Sequence, residues 1–411
     1  MKENKIVIDK ETALRAFWAE RHEVSKILRS GEILTEEAAE ILALIENPAL
    51  LGSKFYGMNL DGLREISATA FVEILSGNPK NYLSLDGLTR LPVNLPSREV
   101  EVDEWEDPVL RVRHLCLNGL TELSEREIQF LNTVPVEHLE LNSVISLPDK
   151  NGWSITGWRI NQTYTSTFVE LAGLREASCN ILSNLVESVG IGGLNFNGLR
   201  DVTEDQIIIL SRLGREYEDG GLWLGIEEFR SDKILDALAV MEVCELRLDR
   251  LVNLDNKAAN KISEVYQGHE LGLDGIKFIK EDTFKVLVTG NISGIPEGQM
   301  PGTLSLNSIQ TLTQGMAKSL EGNGINLNLD GLTEIPIDIA QKLIHSKGRI
   351  RMRGLRVIND HVADVIAQNP SVFLFSRDVV VSEKARSILG ESIPSVNSLS
   401  DFWGKLEGRY E

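Results

Sequence analysis

The chain has 411 residues, 42% of them apolar, enough to bury a sizeable core. Its 61 acidic against 42 basic residues leave a formal net charge of −19, the reverse of the basic field that a nucleic-acid duplex or an anionic membrane surface attracts, so neither is expected as the main partner. Cys116, Cys179 and Cys244 lie far apart, without disulfide or metal-ligand spacing. With no apolar leader and no run of membrane-spanning length, they point to a reducing, cytoplasmic setting and a monomer.

Residues 1–50 read as an N-terminal helical cap. Lys5 to Ile8 suits a short strand, and Glu11 to Leu28 a helix carrying Leu14, Phe17, Trp18, Val24 and Leu28. After Gly31, Thr35-Glu36-Glu37 opens a second helix from Ala38 to Ile45. Residues 51–385 then repeat one unit, clearest from Leu115 to Leu131 as LCLNGLTELSEREIQFL. With Leu115 as position 1, apolar residues fall at positions 1, 3, 6 and 9, namely Leu115, Leu117, Leu120 and Leu123. A helical series with Ile128 and Leu131 follows Ser124, an N-cap type with Glu125 and Glu127 in the first turn. The period thus changes from 2 to about 3.6, a strand followed by a helix. Asn118-Gly119 ends the strand, both residues tolerating turn conformations that other side chains resist.

Further copies start at Leu83, Leu194, Leu246, Leu271, Leu304, Leu327 and Ile350, and looser ones at Met58, Leu139, Val169, Leu222 and Val372. They recur roughly every 22 to 33 residues, the interval that marks a solenoid. One copy cannot bury both its faces, whereas stacked copies share a continuous core. This pattern resembles a leucine-rich repeat, close to the cysteine-containing variant found in many bacterial repeats. Here position 6 is usually Leu or Ile instead of Cys, and the slot after it reads Leu123-Ser124-Glu125, Val202-Thr203-Glu204 or Ile358-Asn359-Asp360. The resemblance implies an α/β solenoid, a horseshoe with a parallel concave sheet and convex helices. It implies no activity, since the fold serves many unrelated binding roles.

Three insertions interrupt the period. Residues 92–110 hold a dense acidic run around Trp105, either a solvated face or a docking element for a basic partner. Residues 148–167 place Trp153, Ile155 and Trp158 on the strand pattern, and residues 289–302 place Ile292 and Ile295 there. Both suit extra strands or simple loops. Residues 386–411 read as a C-terminal cap or tail with Phe402 and Trp403.

Outward strand positions 0, 2 and 4 line the face away from the core. Position 4 is mostly acidic or amide: Asp61, Asp86, Asn118, Asn142, Asn197, Asp249, Asp274, Asn307 and Asp330. Such residues satisfy backbone at the strand exit, or form an acidic ladder for cations and basic peptides. His114 and Cys116 should sit beside His138 and Glu140, which are the side-chain types of a zinc site or of a thiol nucleophile with its base. Arg349, Arg351 and Arg353 fill three outward positions of one strand, expected next to Phe373 and Phe375, as a docking spot for carboxylates or phosphates. Asp330 could instead pair with Arg353 and make the patch structural. Trp223, between Gly221 and Gly225, suits an interface anchor or packing on Asn195 and Arg247. No phosphate loop follows Gly190-Ile191-Gly192-Gly193, and neither HExxH nor GxSxG occurs.

The leading expectation is a non-enzymatic, protein- or peptide-binding scaffold with no cofactor and no metal. Its partner-binding residues would be Arg349, Arg351, Arg353, Phe373, Phe375, Trp223 and Trp105. One alternative is a translocated bacterial effector or toxin-antagonist module of the same fold. Another is a metal-dependent or thiol enzyme at the cluster of His114, Cys116, His138 and Glu140.

Overall fold

A parallel strand can be hydrogen-bonded only to a strand reached by a crossover, and each copy of the repeat supplies one such crossover. The computed structural model describes residues 5–19, 21–45, 58–77, 80–95, 112–131, 136–149, 167–187, 191–213, 220–241, 243–266, 269–290, 302–375 and 379–389, with 134, 159–160 and 163–164. They fall into two compact units, 1–199 and 200–411. In the first, parallel strands follow in chain order: Met58–Asn59, Lys80–Ser84, Val112–Cys116, His138–Glu140, Thr167–Glu170 and Ile191–Phe196. In the second the order is Gly221–Leu224, Glu245–Arg247, Glu270–Gly272, Thr303–Ser305, Asn326–Asn328, Ile350–Met352 and Phe373–Phe375, again all parallel. This is a leucine-rich-repeat type of α/β solenoid fold.

The apolar slots behave as their spacing requires. Leu115, Leu117, Leu120 and Leu123 are buried, as are Leu246, Leu248, Leu251 and Leu254 in the second unit. Position 9 also forms short second ladders: Ile33–Leu34 pairs with Glu65–Ile66, and Val357–Ile358 with Val380–Val381. Most helix starts are fixed by one device, with the helices after Lys280 and Pro336 lacking a side-chain cap. The side-chain oxygens of Thr35, Ser67, Ser178, Ser231, Asp255, Thr313 and Asn359 each accept the backbone N–H three residues on. Thr203 with Gln206 forms a reciprocal capping box, and the Glu127 carboxylate accepts both the N–H and the hydroxyl of Ser124.

Positions 4 and 5 control how closely the repeats stack. Within each unit the position-4 side chain accepts the position-4 N–H of the following repeat in most copies, Asn197 being an exception: Asp86 to Asp61 at 3.2 Å, Asn118 to Asp86 at 2.8 Å, Asn142 to Asn118 at 2.9 Å and Ala172 to Asn142 at 3.2 Å. The second unit repeats this from Asp249 through Asp274, Asn307 and Asp330 to Arg353. Ala172 has no acceptor to offer, and the Asn197 N–H turns to Asn195 Oδ1 on its own strand at 3.1 Å. The backbone-satisfying role expected of these residues therefore holds, but the backbone belongs to the neighbouring copy.

The glycine that follows is needed for a different reason than turn conformation. Among the described residues only Asn94 and Gly322 have positive φ. A Cβ at Gly119 would instead lie 2.3 Å from the carbonyl oxygen of Asp86, and one at Gly354 would lie 1.9 Å from that of Asp330. Position 5 is glycine in most copies because the backbone of the previous repeat passes through the space a side chain would take, although Ser143, Arg250 and Ser308 occupy it in three others.

The N-terminal segment forms two helices, Lys10–Trp18 and Arg21–Leu28, where one was expected. Trp18 is 80% exposed and stands edge-on to Phe17, so this end of the first helix is not core. Within the 148–167 insertion, Arg159–Ile160 and Thr163–Tyr164 make a small antiparallel ribbon apart from the repeat strands. Trp105, Trp153, Ile155, Trp158, Ile292, Ile295, Phe402 and Trp403 lie outside the described residues. Among the described residues no helix is long and apolar enough to cross a membrane.

Replacing Gly119 with Ala should lower stability by about 1–3 kcal/mol, the range for forced overpacking. Gly324→Ala, at a site with nothing within 4 Å of the new methyl, should be neutral or stabilising by up to about 1 kcal/mol. Urea denaturation of both variants against the parent checks the difference.

Candidate functional site

Alternation along a strand sends positions 0 and 2 of every copy to the face opposite the core, and parallel register stacks them into rows. In the first unit the position-0 row is aromatic. Tyr82, His114, His138 and Phe168 follow one another with ring-centroid separations of 5.1, 4.1 and 5.2 Å, and the two imidazoles are stacked at 15°. The position-2 row alongside is Ser84, Cys116, Glu140 and Glu170.

The two rows are stitched by one motif used twice. Glu140 Oε1 lies 2.5 Å from His114 Nε2, and its Oε2 accepts from Asn118 Nδ2 at 2.8 Å. One repeat later, Glu170 Oε1 lies 2.8 Å from His138 Nε2 and its Oε2 accepts from Asn142 Nδ2 at 2.8 Å. Each His and Asn thus holds the carboxylate of the following copy. The His114 hydrogen bond holds the Glu140 carboxyl down at about 2. Burial pulls Glu170 upward, yet its bonds to His138 and Asn142 hold it below the ordinary value.

The expected neighbourhood of His114, Cys116, His138 and Glu140 is therefore present, with Tyr82 and Glu170 added. It is not arranged as a thiol nucleophile with its base. Burial drives the Cys116 thiol well above its usual range, and the nearby Glu140 and Asp86 charges push the same way. His114 is directed at Glu140. A reactive thiolate needs the opposite, a positive and partly exposed surrounding.

The second unit builds a cage around one cation. Arg247 Nε donates to Asp249 at 2.8 Å and Nη2 to Asp274 at 2.7 Å, while Nη1 reaches Glu245 and Glu270 at 3.4 Å each. Its guanidinium also lies 5.4 Å from the Trp223 ring centroid. Burial works against the charge on Arg247, but Asp249, Glu245 and Asp274 more than offset it and hold the group above its ordinary pKa. Gly272 makes the cage possible: a Cβ there would stand 2.9 Å from Arg247 Cγ and 3.0 Å from its Nε. Four carboxylates against one guanidinium leave an acid excess. Glu270 is pushed up to about 7, by burial first and by Glu245 second.

Trp223 is half-buried and lies under the Arg247 guanidinium. The arginine strand is placed as expected: Arg349, Arg351 and Arg353 alternate with buried Ile350 and Met352. Its pairing differs from either expectation. The Arg351 guanidinium, not that of Arg353, approaches Asp330 Oδ2 at 3.0 Å, while Arg353 gives Asp330 its backbone N–H at 2.9 Å.

Phe373 and Phe375 are corrected. The register is Ile350 with Phe373, Arg351 with Leu374 and Met352 with Phe375. Both rings are buried and stacked on each other at 5.8 Å, on the core side. The copy begins one residue later than Val372, because the 3-10 turn Pro370–Val372 delivers the chain so that the two largest apolar groups fall inward. They offer no aromatic surface beside the arginines. Sequence reading passed over the Arg247 cage and Glu170, although Glu245, Arg247, Asp249, Glu270 and Asp274 occupy consecutive outward positions and could have been found by stacking the copies.

No protein-family model matches the chain, and no curated protein matches it. Among solved structures, the Rad7 and Elc1 complex in yeast aligns at 12% identity, covering 96% of this chain and 94% of that chain with a TM-score of 0.44. An internalin from Listeria monocytogenes aligns at 14% identity, covering 89% of each chain with a TM-score of 0.34.

Two outcomes follow for the Arg247 cage. Because the Glu270 carboxyl binds its proton more tightly in the folded chain, stability should fall as pH rises from the ordinary carboxylate range to about 7. Glu270→Gln should remove that part of the slope in urea unfolding compared at about pH 5 and about pH 7.5. Arg247→Met should destabilise by about 2–4 kcal/mol at neutral pH, less than a fully buried pair because the side chain is 21% exposed.

Proposed function

We propose that this chain is a non-enzymatic scaffold that holds a protein or peptide partner on the strand face of its repeats. One observation carries the reading. Outward side chains of the second unit separate into an acidic region, Glu245, Asp249, Glu270 and Asp274, and a basic strand, Arg349, Arg351 and Arg353. Asp249 and Asp274 also accept a neighbouring strand-exit N–H, but the core requires neither Glu245, Glu270 nor the guanidinium groups, and concentrating four carboxylates around Arg247 costs solvation.

The strands bearing Glu270 and Arg351 are three lateral steps apart, about 14 Å at strand spacing. Small polar groups, Thr303, Ser305, Asn326 and Asn328, fill the strands between them. An extended segment of about four or five residues spans that distance. A partner segment with a cationic group at one end and a carboxylate at the other meets both regions in register, and charge pairing of this kind governs orientation and on-rate more than raw affinity.

Arg349→Glu together with Arg353→Glu should reduce capture of the partner by about tenfold or more in a quantitative pull-down read by mass spectrometry. Lys257→Glu, on a helix with its Nζ 2.6 Å from Asp232, should leave capture unchanged. Equal capture by all three chains removes the strand face from the reading.

A further inference from the structure

We propose that the first unit carries a site for one zinc-class transition-metal ion, ligated by His114 Nε2, Cys116 Sγ and the Glu140 carboxylate. The three donor atoms already lie within 4.8 Å of one another. Metal bonds of about 2.0–2.3 Å place tetrahedral donors about 3.3–3.8 Å apart, so side-chain rotations of about an ångström close the set. Backbone geometry supplies the rest. His114 and Cys116 are two residues apart on one strand and so share a face, and Glu140 is the cross-strand partner of Cys116.

The surroundings are those of a ligand set with its supporting groups in place. Asn118 Nδ2 holds Glu140 Oε2 at 2.8 Å, which fixes the carboxylate and leaves Oε1 directed at His114. The Tyr82 hydroxyl and the Cys116 thiol are hydrogen-bond partners. Such outer contacts orient ligands and raise metal affinity. The 2.5 Å approach of His114 Nε2 to Glu140 Oε1 sets side by side two atoms that an ion would bridge. His114 and Glu140 are only 16% and 13% exposed, so the negative charge gathered here is partly desolvated and a divalent cation relieves it.

Nitrogen, sulfur and oxygen together select zinc over calcium or magnesium, which take oxygen sets. A neighbouring triple, His138, Glu140 and Glu170, shares Glu140 but lacks sulfur. It is a poorer match for zinc. On binding, the thiol proton leaves to solvent, the hydrogen between His114 Nε2 and Glu140 moves to His114 Nδ1 or leaves with it, the Cys116 sulfur becomes a thiolate ligand, and water completes the fourth position. The ion then ties the strands Val112–Cys116 and His138–Glu140 through three side chains.

The test uses the full chain, freed of metal by a chelator and titrated with Zn2+ by calorimetry and with Co2+ by absorption. One ion per chain is expected, with a thiolate-to-cobalt charge-transfer band. Cys116→Ser should lose the band, and His114→Ala and Glu140→Gln should each weaken Zn2+ binding by about tenfold or more. His138→Ala should keep band and stoichiometry. X-ray absorption of the zinc-loaded parent, which needs no variant to fold, should find one sulfur with nitrogen and oxygen neighbours. Substoichiometric binding, an absent band, or a zinc shell without sulfur overturns the proposal. So does loss of binding in His138→Ala with retention in Cys116→Ser, which moves the ion to the oxygen-rich triple.

Discussion

The stacking distance between consecutive repeats is the constraint from which the other features follow. Strands at about 4.8 Å leave little room at position 5, where the preceding copy's carbonyl passes, and most copies place glycine there. Gly87, Gly119, Gly275, Gly331 and Gly354 each face such a carbonyl, at 1.9 to 2.5 Å from where a Cβ would stand. The same closeness brings most position-4 acceptors within hydrogen-bond reach of the next copy's N–H. Strand-exit backbone that would otherwise need water is satisfied sideways, one repeat to the next.

Because apolar positions 1 and 3 are committed to the core, positions 0 and 2 are committed to the opposite face in every copy. Rows then form whatever residues occupy them. In one unit the rows are rings beside carboxylates, and the His–Glu–Asn stitch falls out of the register. In the other, the rows place four carboxylates around Arg247, with Gly272 providing the space. These are consequences of one geometry acting on different residue types, and they explain why polar chemistry concentrates on the strand face while the helices carry simple surface ion pairs such as Lys261 with Asp236.

Within a row, pairing depends on details below the level of the repeat pattern. His138 could be placed beside His114 from the sequence because both occupy position 0 of adjacent copies. That it would bind Glu170, and not Glu140, depends on which way the two rings lean once stacked at 4.1 Å. Arg351, not Arg353, reaches Asp330 for a similar reason: Arg353 already contributes its backbone N–H to that carboxylate's other oxygen.

The strand–helix period, the inward leucines, the capping residues and the neighbour relation of His114, Cys116, His138 and Glu140 were all determined by the sequence alone. Each is local or follows from counting positions, and hydrophobic periodicity is a local signal. Tertiary structure decided what counting could not. It placed Phe373 and Phe375 inside, through a turn that shifts the copy by one residue and so exchanges the faces of the strand. It gave the position-5 glycines their role as spacers between repeats, and it joined five charged side chains from two strands into one cage. Close approach between segments roughly two dozen residues apart has no trace in either segment by itself.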